Sequence, residues 1–279
     1  TAAYYRNEAD VGKAIHDSGI PREQIFVTTK LWTGFGPPID YNGTLAALKS
    51  SLSLLRLQYV DMYLIHSPND KPNRLEQWRA LEAASKAGLA KNIGVSNYGI
   101  HHLQELEKVA TILPATNQIE LHPWLTREKL VAYCQSKGIV LTAYSPLAKA
   151  RKMSDPALLA VAQKYGRTPA QILIRWCMER GYVTIPKSTK EARIKENMDV
   201  SFDMDPADVK AMSSWNSNML TGWDPTVNQY KRALSCMCHM GVSHMHGCVI
   251  HLGVSRLPIQ CVDTVHIHTY AYTYKHTYT

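Results

Sequence analysis

Three observations predict an α/β protein built on a β/α barrel. First, six short apolar runs each stop at a polar or reactive side chain: residues 25–29 at Lys30, 59–65 at His66, 90–95 at Ser96 and Asn97, 116–119 at Glu120, 140–143 at Tyr144 and Ser145, and 182–185 at Pro186 and Lys187. Second, stretches of helical spacing lie between these runs, the alternation of a parallel sheet with crossover helices. Third, when every parallel strand ends in a reactive group, those groups gather on one face, where a barrel carries its site.

The elements follow in order. Residues 7–18 put Val11, Ala14 and Ile15 on one helical face, and residues 25–30 read as the first strand. Residues 42–55 are a helix with Leu45, Leu48, Leu52 and Leu55 at helical spacing. The strand 59–65 is stopped by Pro68, and the helix 75–86 is closed by Gly88. Strand 90–96 leads to helix 100–110, and strand 116–119 to helix 127–137, closed by Gly138. After strand 140–143, Asp155-Pro156 and Thr168-Pro169 each set a capping oxygen before a proline at the first helical position. Gln171 completes a capping box with Thr168, and Glu191 is expected to complete another with Ser188 after the strand 182–185. Asp205-Pro206 opens a last helix through Trp215.

A closed (β/α)8 TIM barrel has eight strands. The sequence supplies six, and its first residues resemble a loop at a strand end, so the first two strands are expected to be missing. One barrel domain is expected over residues 1–226 and a disordered tail over 227–279, where Cys, His, Met, Thr and Tyr dominate and periodicity vanishes. The tail's Cys236, Cys238, His239, His244, His246 and Cys248 have spacings that would admit a metal, but the repeat-like composition favours accident, and no metal is expected.

With 45% hydrophobic and 19% charged residues, most of the chain should fold. No apolar run approaches the roughly 20 residues of a membrane span, and the N-terminus lacks a basic segment followed by an apolar one. Of the +8 formal charge, Lys231, Arg232, Arg256 and Lys275 against Asp263 contribute +3. The remaining basic residues are dispersed, which argues against nucleic acid as partner. Cys134 and Cys177 sit in apolar helical patterns and suit buried thiols, so a cytoplasmic monomer acting on a small molecule is expected. No GxGxxG follows a strand, which argues against a Rossmann domain.

Seven ordered stretches carry a specific resemblance: Thr1 to Glu8 (TAAYYRNE), Thr28 to Trp32 (TTKLW), Leu64 to Pro68 (LIHSP), Gly94 to Asn97 (GVSN), Asn117 to Pro123 (NQIELHP), Ala143 to Leu147 (AYSPL), and Ile185 to Ser188 (IPKS) followed by Arg193, Glu196 and Asn197. Together they resemble the aldo-keto reductase family, in the prostaglandin F synthase and 2,5-diketogluconate reductase branch, as far as about Pro225. The resemblance implies NADPH-dependent reduction of a small carbonyl substrate. It makes Tyr5 the proton donor, Lys30 its tuner and His66 the group that orients the carbonyl. An Asp that pairs with the lysine would stand just before Thr1, so three of the four catalytic groups lie in this sequence. The resemblance also places Ser96, Asn97 and Gln118 on the nicotinamide carboxamide, Tyr144 on its ring, and Ser145 and Leu147 beneath the pyrophosphate, with Ala148 and Ala150 where many relatives have glycine. Lys187, Ser188 and Arg193 would hold the 2′-phosphate, with Glu196 and Asn197 on the adenine side, and Trp32 and Trp124 would wall the substrate pocket.

The residue types suit that chemistry. Hydride transfer to a carbonyl needs a proton for the alkoxide, and a free tyrosine, with a pKa of about 10, becomes a better acid beside an ammonium. A capped helix N-terminus flanked by Lys187 and Arg193 suits an anion. Two other readings stay open: a barrel that binds nucleotide without turnover, as a regulatory or scaffold subunit, and a Schiff-base lyase using Lys30.

Overall fold

The computed structural model describes residues 1–34, 37–222 and 224–227. The tail expected from residue 227 onward lies outside the described residues except for Val227. Six parallel strands pair in sequence order: β1 (Thr28–Leu31), β2 (Val60–Ile65), β3 (Ala90–Ser96), β4 (Thr116–Glu120), β5 (Val140–Tyr144) and β6 (Val183–Thr184). β2 and β4 are buried along their whole length, as strands covered on both faces must be. Among the described residues β1 and β6 are the outer strands of this sheet.

The crossover elements are α1 (Glu8–Asp17), α2 (Tyr41–Leu55), α3 (Arg74–Lys86), α4 (Ile100–Glu107), α5 (Glu128–Ser136), α6 (Pro156–Tyr165), α7 (Pro169–Glu179), α8 (Glu191–Met198) and α9 (Pro206–Ser213). The capping signals set several boundaries. Asp155 accepts from the Ala157 amide and Asp205 from the Ala207 amide. Thr168 accepts from the Gln171 amide while the Gln171 side chain accepts from the Thr168 amide, so both halves of that capping box form. The expected box at α8 does not form. That helix starts at Glu191 with Lys190 before it and no side-chain cap, and Ser188 Oγ instead accepts from the Lys190 amide in a preceding turn. Ser188 lies too early: Glu191 is the first helical residue, where a capping box needs the third.

The core is one cluster in which Leu48, Leu52 and Leu55 of α2 and Trp78 and Leu81 of α3 close over β2 and β3. α1 approaches α2 through Gly12, where a Cβ would fall 2.4 Å from the Leu55 carbonyl oxygen. Gly12→Ala should therefore force the two helices apart and destabilise the chain by about 1–3 kcal/mol. A urea midpoint unchanged from wild type, at equal slope, would contradict this close approach.

Candidate active site

Tyr5 ends a short 3₁₀ helix, Ala3–Tyr5, which Arg6 closes in the left-handed region at φ 53°. Lys30 lies within β1, and His66 follows β2, its amide bonded to the Leu31 carbonyl. Parallel register sets Lys30 beside Leu64, so β1 and β2 end level and deliver both groups to one place. The Lys30 ammonium lies 5.1 Å from the centre of the Tyr5 ring, and the His66 ring stands edge-on to Tyr5 at 5.6 Å. Lys30 Nζ donates to the Thr1 carbonyl at 2.9 Å. The three residues named from sequence therefore meet.

Their electrostatics correct one expectation. Lys30 does not pull the Tyr5 hydroxyl down: burial first, and Tyr4 second, push it above the usual tyrosine range. The Lys30 ammonium contacts the ring as a cation–π pair. Burial lowers Lys30 itself to about 8. Burial, then the charge of Lys30, lowers His66 to about 3, so the imidazole is neutral at pH 7, and its buried Nδ1 has no hydrogen-bond partner among the described residues.

Beside this group, side chains at the ends of β3, β4 and β5 bond to one another. Tyr144 donates to Asn97 Oδ1 at 2.8 Å, Asn97 Nδ2 donates to the His66 carbonyl and to Ser96 Oγ, and Ser96 Oγ donates to the Gln118 carbonyl. Gln118 is buried opposite Ser96 in the register of β3 and β4. Ser145 has φ 49°, and Leu147, half-buried, packs on the core. The loop then runs through Ala148, Lys149 and Ala150 at φ 48°, 50° and 61°, a backbone region that favours the glycines absent here.

The remaining candidates are more dispersed. Lys187 and Arg193 are exposed, and among the described residues neither forms a hydrogen bond or ion pair. Glu196 accepts from the Thr168 hydroxyl at 2.5 Å, which ties it to the start of α7, and Asn197 is buried. Trp32 stacks on Tyr4 and stands edge-on to His66. Trp124 is not its companion wall: it is 4% exposed, with its ring against Trp215 and His122.

Residues 216–222 and 224–226 were expected to belong to the barrel domain, but sequence reasoning gave them no element and no role. They are held across the sheet end. Ser217 and Met219 amides donate to the Trp124 carbonyl, and the Thr221 amide donates to the buried Glu120 carboxylate at 2.9 Å. Arg127 grips both Asp224 oxygens and the Thr226 hydroxyl, and a Cβ on Gly99 would fall 2.1 Å from the Thr226 carbonyl oxygen. Lys149 donates to the Thr221 carbonyl and Arg151 to the carbonyls of Leu220 and Thr221, which joins the 148–151 loop to this strap. No local pattern pairs residue 127 with 224; the Tyr4-Tyr5 doublet near Trp32 was the only available hint of Tyr4.

The depressed His66 pKa has a thermodynamic consequence. In the unfolded chain an imidazole near 6.5 takes up a proton that folded His66 refuses until about pH 3. The unfolded state then binds more protons, so stability falls as pH drops from 6.5 toward 3. His102, also held at about 3 by burial, contributes in the same direction. His66→Gln should remove its share and leave those of His102 and of the carboxylates held low, such as Glu120 and Asp224, so urea midpoints between pH 7 and 4 should fall less steeply than in wild type. Equal slopes would mean that His66 is not desolvated.

Comparison with known proteins agrees with this architecture. The model of the aldo/keto reductase family matches residues 1–217. A glyoxal reductase of Bacillus subtilis (strain 168) is 43% identical over 226 residues, 81% of this chain and 80% of its own. An aldo-keto reductase from a Medee basin deep-sea metagenome library has a TM-score of 0.78 at 42% identity, over 82% of this chain and 85% of that one. A Bombyx mori aldo-keto reductase solved in complex with NADP gives 0.73 at 38% identity, over 79% and 78%. With six parallel strands in sequence order and their polar ends on one face, the chain belongs to the aldo/keto reductase family of oxidoreductases.

Proposed function

We propose that the catalytic unit, residues 1–226, reduces aldehyde or ketone carbonyls to alcohols with NADPH, and that Tyr5 supplies the proton. The observation that carries this reading is the convergence of Tyr5, Lys30 and His66 from three separate elements around a half-open tyrosine ring. When bound, the cofactor supplies the hydride. Because the Tyr5 hydroxyl sits above its ordinary range, it is fully protonated at neutral pH and holds the proton that the carbonyl oxygen needs. The Lys30 ammonium adds positive charge next to the tyrosine, 5.1 Å from the centre of its ring. Neutral His66 can donate one hydrogen bond that orients the carbonyl, without adding a second cation.

The chain's own groups fit a phosphorylated dinucleotide. Lys187 and Arg193, cations without an acidic partner among the described residues, suit its 2′-phosphate, together with the Ser188 hydroxyl. Ser96, Asn97 and Gln118 would hold the carboxamide, Tyr144 the nicotinamide face, and Ser145 and Leu147 the pyrophosphate. Glu196, tied to α7 by Thr168 and Gln171, and the buried Asn197 would flank the adenine. Two free thiols, Cys134 and Cys177, are buried with pKa values raised by burial, which supports a reducing compartment.

Tyr5→Phe keeps the ring under Lys30 and removes only the proton. Carbonyl reduction should fall by about 10²-fold or more while NADPH binding, read by fluorescence, is retained. Near-normal turnover would remove Tyr5 from the mechanism. Arg193→Ala should raise KM for NADPH by at least about tenfold and leave that for NADH nearly unchanged, as loss of one charge-assisted phosphate contact requires. Equal effects on both cofactors would refute the assigned phosphate site.

A further inference from the structure

We propose that Glu8 is a positioning residue for Tyr5: its buried carboxylate pegs the exposed turn that carries the tyrosine to the strand that carries Lys30. The inference rests on the reading of Tyr5 as the proton donor.

Tyr4, Tyr5, Arg6 and Asn7 are all exposed, and the nearest buried residues on either side of them are Ala2, at 0%, and Glu8, at 3%. Ala2 offers only a methyl group. Glu8 opens α1 and accepts from the Thr29 hydroxyl at 2.5 Å. Thr29 immediately precedes Lys30 in β1. One bond therefore joins the two segments whose next residues of interest, Tyr5 and Lys30, meet at 5.1 Å. Tyr63 stands beside Thr29 in the register of β1 and β2, and the charge of Glu8 adds to the burial that raises its hydroxyl. Glu8 thus lies against both strands that deliver the candidate catalytic groups.

Packing alone would not call for an acid here, because burying a carboxyl group costs more than burying an apolar one unless it is hydrogen-bonded. What the acid adds is direction. An apolar side chain can slide along a strand, whereas a short bond between two oxygens fixes both the distance and the heading of α1. The first-turn position suits a carboxylate through the helix dipole. Gly12, about one turn further on, seats the same helix against the Leu55 carbonyl of α2. α1 is therefore held at two points, and the turn before it inherits that placement. Within the turn the Tyr5 amide donates to the Ala2 carbonyl and the Arg6 amide to the Ala3 carbonyl, so the path from Glu8 back to Tyr5 is short and bonded. A proton donor must stand within hydrogen-bond reach of the carbonyl oxygen, and a small displacement costs rate steeply. Loss of the peg should be read in the chemical step rather than in cofactor binding.

The test follows NADPH oxidation in a single turnover with saturating 4-nitrobenzaldehyde, and NADPH binding by fluorescence, in the full chain. Glu8→Ala should slow the chemical step about tenfold and leave the Kd for NADPH within about twofold of wild type. Thr29→Val keeps the shape of the side chain and removes the hydroxyl; it should do the same, and it carries the test if Glu8→Ala fails to fold. The double variant should be no slower than either single one, as loss of one shared bond requires. Glu8→Gln keeps an oxygen that accepts from Thr29 and should recover most of the rate. With Tyr5→Phe inactive, a rate near wild type in Glu8→Ala and Thr29→Val, additive losses in the double variant, or Glu8→Gln as slow as Glu8→Ala would overturn the proposal. Hydrogen exchange at the Tyr5 and Arg6 amides separates the two readings. Glu8→Ala should speed it about tenfold and Glu8→Gln should restore it. Unchanged exchange in Glu8→Ala would sink the peg whatever the turnover. Faster exchange in Glu8→Ala, together with near-normal turnover in Tyr5→Phe, would sink the role of Tyr5 and leave the peg standing.

Discussion

The carboxylate of Glu120 is 2% exposed at the end of β4, and its surroundings decide how the face above the sheet is closed. Burial alone would push it toward the neutral acid. Hydrogen bonds from His122 and from Thr221 outweigh that burial and hold it below the usual glutamate range, so it stays ionised. An ionised carboxylate in a dry site needs donors, and one of those it takes is the Thr221 amide from a segment 101 residues away. From there the chain is committed. The Glu120 carbonyl accepts from Arg127, and Arg127 in turn fixes Asp224 and Thr226. Asp224 then lies close enough to Tyr144 for its charge to add to the burial that raises that hydroxyl. A buried charge on one strand thus reaches the tyrosine on its neighbour, with which Glu120 is in register.

Local rules account for what was legible in the sequence. Thr168 and Gln171 sit three apart before an apolar helix, and both capping bonds form while the Thr168 hydroxyl and the Gln171 amide also donate to α8 and its end, at Glu196 and Asp199. The strand ends were legible because the runs of strand-forming residues stop at polar ones, although burial continues past that point: Lys30, Ser96 and Glu120 are themselves buried. Lys30 and His66, at the ends of successive strands, could therefore be placed on one face from the sequence. The box assigned to Ser188 and Glu191 failed on the same kind of local pattern, since a turn closed by Ser188 on Lys190 satisfies the serine before the helix begins.

Long-range and electrostatic features could not be read that way. Arg127 and Asp224 are 97 residues apart, and nothing in either neighbourhood points to the other. Trp124 looked like a pocket wall, but its environment is set by Trp215 from beyond α9. A motif gives Tyr5 and Lys30 but not how deeply they are buried, and at this site burial, then Tyr4, sets the direction of the Tyr5 shift.

The left-handed run Ala148-Lys149-Ala150 ties these themes together mechanically. Each residue with a Cβ gives up roughly 1–2 kcal/mol of backbone comfort in that region, so the loop is wound against its own preference. Its side chains are what hold it wound: Lys149 and Arg151 are hooked onto the Leu220 and Thr221 carbonyls. Loop and strap therefore depend on each other: the bonds from Lys149 and Arg151 to the Leu220 and Thr221 carbonyls offset the cost of the left-handed turn and fix the strap in place.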